Sequence, residues 1–339
     1  MLQAIVALPR IQEAPPEALQ EVLESQQPVV VRGLVRGWPM VHAARSSDAD
    51  AVAYLKRFAN PSLAAVATIA PPEAGGRIFY DEAMRGFNFR REDVALTAAL
   101  DTLLRYREHA DPPLIYLGAT TLQTHLPDLD AANGVDLAGR DALASIWIGN
   151  RSRVPIHQDL PDNLACVAAG RRRFLLFPPT QLQNLYIGPL DVTPAGQPVS
   201  LVDPLAPDLV RYPRFADAWQ HARVADLEPG DAIFMPGMWW HHIEALDPFN
   251  VLVNYWWRRA PAWMDAPLNA LMAAILCLRQ LPAHERAIWQ DVFGHYVFDF
   301  DQTQATGHLP AHARGVLGPL DEAGAANLRA RLVQRLQRQ

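Results

Sequence analysis

Residues 114–257 constrain this chain most: short apolar runs alternate there with clusters of Gly, Pro, Asn and Asp. Frequent reversals between short apolar stretches predict an antiparallel sandwich or barrel. Candidate strands are 145–148, 163–168, 172–177, 232–235, 241–246 and 250–257. The Pro-rich stretch 189–213 reads as a long connection, and connections of that length tend to be functional or to cover a site.

The flanks have a different texture. Residues 15–25 read as a helix with Pro at its start, followed by a buried strand over 28–34. Helical periodicity marks 47–59 and 91–110, and 77–80 with 87–89 suggest a strand pair between them. Beyond Arg259, Leu268, Leu271, Met272, Ile275 and Leu278 form one apolar stripe, and Ile288, Trp289, Val292 and Phe293 form another. These helices predict a cap or a homodimer surface, and 321–339 reads as a short amphipathic helix. The expected organisation is an N-terminal α/β segment over 1–113 packed on a core over 114–259, with a helical region over 260–339.

At 339 residues the chain exceeds the usual size of one domain, and 50% hydrophobic residues are enough for a large core. The net charge of −6 gives no reason to expect a nucleic-acid partner, which needs a basic face. No run approaches the roughly 18 apolar residues of a membrane span, and residues 1–10 lack the charged start and apolar stretch of a leader. Cys166 and Cys277 sit among apolar neighbours and read as small core residues in a reducing compartment, which implies a cytoplasmic protein.

The chemistry centres on His157-Gln158-Asp159. On an extended chain residues two apart share a face, so an imidazole and a carboxylate point the same way. With a distant histidine they make a two-His-one-carboxylate set, which leaves positions open on a metal. Alone, such a triplet is weak, since surface turns produce it by chance. A second stretch strengthens it: Pro229-Gly230-Asp231 is a turn leading into an apolar strand, and Gly237-Met238-Trp239-Trp240-His241-His242 follows. His241 lies 84 positions after His157, a separation a jelly roll can close. A zinc hydrolase with the same ligands needs a dedicated general base, and none stands near these motifs.

Residues 154–257 resemble the JmjC and cupin-like Fe(II)- and 2-oxoglutarate-dependent oxygenases, among them the asparaginyl hydroxylase of the hypoxia pathway. The resemblance rests on His157-Gln158-Asp159, Asn163, the run from Gly170 to Pro179, Pro229-Gly230-Asp231, Trp239-Trp240-His241-His242 and Val253-Asn254-Tyr255-Trp256. Upstream, Pro28-Val29-Val30-Val31-Arg32-Gly33 and Gly37-Trp38-Pro39 extend it to about residues 20–260. It implies a mainly β fold, a double-stranded β-helix (jelly-roll, cupin-like) core with helical additions. It implies that His157, Asp159 and His241 bind Fe(II), with His242 pointing away. It also implies that Arg172, where relatives carry lysine, grips the far carboxylate of the co-substrate 2-oxoglutarate with help from Tyr116. Asn163 and Asn254 would line that pocket, whereas a threonine that assists in some relatives is Val154 here. The activity implied is hydroxylation of a protein side chain or a small molecule. The alternative is a metal-binding cupin-like protein without oxygenase activity, a sensor or ligand-binding module, which the lysine-to-arginine change favours.

Overall fold

Pleated strands point successive side chains to opposite faces, and in the computed structural model that rule separates a helix-covered face from an enclosed one. The structure describes residue 5 and residues 7–338. The other positions, which hold part of the leader reading and the last residue of the tail-helix reading, lie outside the described residues. Among the described residues five strands precede the central roll: β1 (Gln12–Ala14), β2 (Val29–Val31), β3 (Ala64–Ala70), β4 (Arg90–Ala95) and β5 (Leu114–Thr121). Eight build it: β6 (Leu143–Gly149), β7 (Ser152–His157), β8 (Asp162–Ala169), β9 (Arg172–Phe177), β10 (Arg223–Leu227), β11 (Ala232–Met235), β12 (Trp240–Ala245) and β13 (Asn250–Trp257).

The strands form a nine-stranded sheet in the order β1-β2-β11-β8-β13-β6-β5-β3-β4 and a four-stranded sheet in the order β10-β9-β12-β7. From β6 to β13 the chain passes back and forth between the two sheets, the double-stranded β-helix that the sequence implied. On β8, Leu164, Cys166 and Ala168 pack outward with Met40, Val41 and Leu100 of the covering helices. Ala165 and Val167 of the same strand face inward to Phe174, Leu176, Ile233 and Leu252. Burial on both faces explains why β8 and β13 read as continuous apolar runs. Gly170 turns β8 into β9 at φ +67°, where a Cβ would lie 2.5 Å from the Phe249 carbonyl oxygen.

Several boundaries differ from expectation for local reasons. The helix expected over 91–110 begins only at Leu96, because Arg90–Ala95 pairs with β3 as the edge strand β4. Strand β7 escaped notice because Pro155 interrupts its apolar pattern. The helix expected over 15–25 is a 3-10 turn, Pro16–Ala18, and one helical turn, Leu19–Val22. The 77–80 and 87–89 pair reduces to one bridge, Tyr80 to Phe87.

The chain divides into two compact units, Met1–Arg259 and Ala260–Gln339. The second contains helices Pro267–Leu278, Ala283–Phe293 and Glu322–Leu336. Cys277 is exposed, not a core residue as its apolar neighbours suggested. Helix Pro267–Leu278 is apolar nearly all round and none of its residues is buried, so apolar neighbours along the chain do not mean cover in space. Among the described residues no helix is long and apolar enough to cross a membrane.

Candidate metal centre and its cavity

The four-stranded sheet places the candidate ligands. β7 ends at His157, and antiparallel pairing sets His157 directly opposite His241 on β12. Asp159 follows in the turn after β7. One ligand atom from each of the three side chains can be chosen so that all lie within 4.8 Å of one another. The imidazole centroids are 4.2 Å apart, and His241 Nε2 is 3.7 Å from Asp159 Oδ2.

Backbone carbonyls fix how the rings are used. His157 Nδ1 lies 2.9 Å from the Pro155 oxygen, and His241 Nδ1 lies 2.9 Å from the Trp239 oxygen. A carbonyl only accepts, so each Nδ1 carries its proton and each Nε2 keeps a lone pair for a metal. Burial, and then the neighbouring His157, push the pKa of His241 down to about 4, which keeps that lone pair available. Two imidazoles and a carboxylate with polar atoms converging on one point fit a divalent transition metal.

The turn that carries Asp159 is held from outside. Met238 N–H donates to the Asp159 carbonyl at 2.7 Å, and Gly237 N–H donates to Asp162 Oδ1 at 2.8 Å. Asp162 also accepts from Arg259 Nε at 2.6 Å. Asp231 of the Pro-Gly-Asp motif holds the architecture together. It accepts from Gly33 N–H at 2.8 Å and Arg32 Nη1 at 2.7 Å, tying the N-terminal segment to the roll.

The three ligands open into a cavity of about 320 Å³ that is also lined by Tyr116, Arg172, Asn163 and Asn254. All seven residues singled out in the sequence thus meet in one space. Arg172 is 3% exposed, its Nε has no hydrogen-bond partner, and it makes no ion pair among the described residues. Burial depresses its pKa to about 10, partly offset by Tyr116, and the guanidinium is still a cation at neutral pH. Burial likewise raises the Tyr116 phenol, which the Arg172 charge opposes. A buried, unpaired cation is costly, and a carboxylate entering the cavity would relieve it. Asn254 accepts from Trp147 Nε1 at 2.6 Å and donates to Asn163 Oδ1 at 3.3 Å, so the two asparagines brace the wall through each other.

The neighbours that parity set apart also differ in place. His242 is buried outside the cavity, with burial lowering its pKa to about 3. Arg173, next along β9 from Arg172, donates to Asp226 Oδ1 at 2.7 Å with its side chain 12% exposed. Four further lining residues, Thr68, Arg91, Trp147 and Gln197, stand in no motif that sequence reasoning singles out. Thr68 and Arg91 arrive on β3 and β4, which carry no local signature.

A profile of the cupin-like domain matches residues 15–262. The chain belongs to the cupin-like domain family. Membership of the JmjC/cupin-like group, expected from the motifs, is therefore borne out. This cupin-like chain is 37% identical over 117 residues to human HSPB1-associated protein 1, covering 33% of the chain and 23% of that protein. It is 33% identical over 120 residues to Lysine-specific demethylase JMJ31 of Arabidopsis thaliana, covering 34% and 21% respectively. It is 26% identical over 263 residues to human Bifunctional peptidase and (3S)-lysyl hydroxylase JMJD7, covering 68% and 77%. The match thus spans about a quarter of HSPB1-associated protein 1, whereas it spans most of the hydroxylase.

Proposed function

We propose that this cupin-like protein is an Fe(II)- and 2-oxoglutarate-dependent dioxygenase that hydroxylates a protein side chain. Arg172 carries the reading: a buried cation with no anionic partner shares its cavity with a three-ligand cluster. His157, Asp159 and His241 would hold the iron. Along β12 the row of His241 and the row of Ala245, which pairs with Arg172, are four residues apart, roughly 14 Å of strand. The cavity between them suits a short dicarboxylate, with Arg172 and Tyr116 at its far end. Bound iron and keto acid supply the oxidising power that no protein side chain has. In balance, 2-oxoglutarate, O₂ and a substrate C–H become succinate, CO₂ and a substrate C–OH, one oxygen atom going to each organic product.

The chain's own residues bind and enclose. Asn163 and Asn254 fix the wall, and Val199 of the long connection bridges to His157, closing one side against water. The hydroxylase name of the relative matched over most of its length supports a protein substrate. Two free thiols support a cytoplasmic location. The exposed Leu276 and Ile288 of the second unit support a homodimer through its helices.

The test is anaerobic titration of the apo-protein with Fe(II) and 2-oxoglutarate, watching for the weak visible charge-transfer band of a chelated keto acid. The band is expected, and is expected to vanish in Asp159→Ala and His241→Ala. Metal uptake without the band would overturn the dioxygenase reading in favour of a metal-binding cupin-like protein without that activity.

A further inference from the structure

Metal and co-substrate account for one end of the cavity only. From Tyr116, at the co-substrate end, sheet register leads away through a row of three residues: Thr68 on β3 pairs with Tyr116 on β5, and Arg91 on β4 pairs with Thr68. Register partners share a face, so all three line the same cavity. Two strand spacings put the Arg91 backbone about 10 Å from that of Tyr116. The cation at the mouth is therefore a separate feature from the Arg172 pocket.

Arg91 is held but not neutralised. Its Nη2 donates to the Pro194 carbonyl at 2.5 Å, and its guanidinium lies 5.6 Å from the Phe89 ring centroid. One carbonyl leaves most of its five N–H donors available. Its neighbour Arg90 pairs with Glu92, whereas Arg91 has no acidic partner among the described residues. Beside it, Thr68 is only 8% exposed, and neither its hydroxyl nor the Gln197 amide has a side-chain hydrogen bond within the described residues. Among the described residues, Asp159 is the sole acidic one in the lining. Once a dication and a dianionic co-substrate are bound, their charges cancel, as do those of Asp159 and Arg172. Arg91 is left as the uncompensated charge.

We propose that Arg91, Thr68 and Gln197 seat an anionic group, a carboxylate or phosphate, on the molecule to be oxidised, so that the substrate is an acid. That this molecule is oxidised rests on the dioxygenase reading; the anion seat itself rests on the cavity's geometry. Arg91 is then a specificity residue, and its bond to Pro194 sets the long connection beside the bound acid.

The test uses the full chain loaded with redox-inert Zn(II) and saturating 2-oxoglutarate, with binding read by calorimetry. Peptide probes are N-acetylated, amidated alanine pentapeptides with a central glutamate, glutamine or lysine; small probes are phenylacetate and phenylacetamide. An acid is expected to bind about tenfold tighter than its amide, as a charge-assisted bond implies. Arg91→Gln should abolish that advantage, Arg91→Lys should keep it, and Arg91→Glu should shift preference to the lysine peptide. An advantage confined to peptides identifies an acidic side chain as the source, and one shared by phenylacetate identifies a small acid. Equal affinity for acid and amide in the unaltered protein, absence of binding by either included, overturns the proposal. So does an advantage that survives Arg91→Gln. The visible band of the unaltered Fe(II) complex reports separately: if it is absent while the Arg91-dependent preference holds, the oxygenase reading falls and the anion seat stands.

Discussion

Gly237 should be irreplaceable, although it is neither a ligand nor in a left-handed conformation. A Cβ built there would lie 2.4 Å from the Leu160 carbonyl oxygen and 3.3 Å from the Pro161 carbonyl carbon. Real Cβ contacts do not fall below 3.0 Å, so Gly237→Ala must move backbone by at least the difference, 0.6 Å. No flexible side chain can absorb the shift. The moving parts are the turn that bears Asp159 and the chain that donates to it through Met238 and Gly237. Metal sites tolerate about 0.2 Å of error in ligand distance, so the displacement is about threefold too large. Loss of support of this kind costs about 10–100-fold in metal affinity, or about 1.4–2.7 kcal/mol. The assay is competition for Zn(II) and Co(II) against a fluorescent chelator, with calorimetric unfolding of the apo-protein alongside. Asp162→Asn, which keeps the acceptor and loses the charge, should weaken metal binding by a smaller factor, and it carries the test if Gly237→Ala does not fold. Metal affinity within twofold of the unaltered protein in a folded Gly237→Ala variant would refute the reasoning.

Other expectations follow from the same geometry. Arg172→Met replaces a buried unpaired cation with an apolar chain, so the apo-protein should gain about 1–3 kcal/mol in urea unfolding. The same variant should lose the rise in melting temperature that 2-oxoglutarate gives, and a fall in apo stability would contradict the burial argument. Asp231→Ala removes the acceptor of Gly33 N–H and Arg32 Nη1 and should cost about 2–4 kcal/mol in the same assay; an unchanged urea midpoint would show that the tie carries no weight. Leu276→Asp and Ile288→Asp, at positions 71% and 60% exposed, should convert a dimer to a monomer by light scattering. A monomeric unaltered protein would remove the dimer.

The roll and its seven cavity residues were legible because they belong to compact motifs. Three strands, β9, β11 and β13, have the bounds expected, since turn residues flank apolar runs buried on both faces. What escaped lies where local pattern and tertiary position diverge. β7 carries His157 but includes Pro155, so it does not read as a strand. β4 reads as the start of a helix because Val94, Leu96 and Leu100 are spaced for one, yet pairing with β3 claims the first of them. Arg91 and Thr68 therefore reach the cavity through sheet register, which no single segment encodes. Cys277 shows the converse failure, an apolar neighbourhood in sequence with no cover in space.

The position of β7 has a consequence for motion. It is an outer strand of the four-stranded sheet: β12 pairs along one side, and the other meets only short segments, Arg153 N–H donating to the Gly76 oxygen at 2.7 Å and Ser200 N–H to the Ile156 oxygen at 2.8 Å. Outer strands fray at low free-energy cost, while central ones such as β12 open with the whole domain. An ion shared by His157 and His241 would tie an outer strand to a central one. Metal at a hundred times its dissociation constant adds about 2.7 kcal/mol to such a closure. Amide hydrogens of β7 should then exchange at their own rate in the apo-protein and slow by about a hundredfold once metal is bound, while those of β12 change little unless global stability rises with them. The metal would thus act as a latch on the edge of its own sheet, and chelators would loosen the roll from that edge inward.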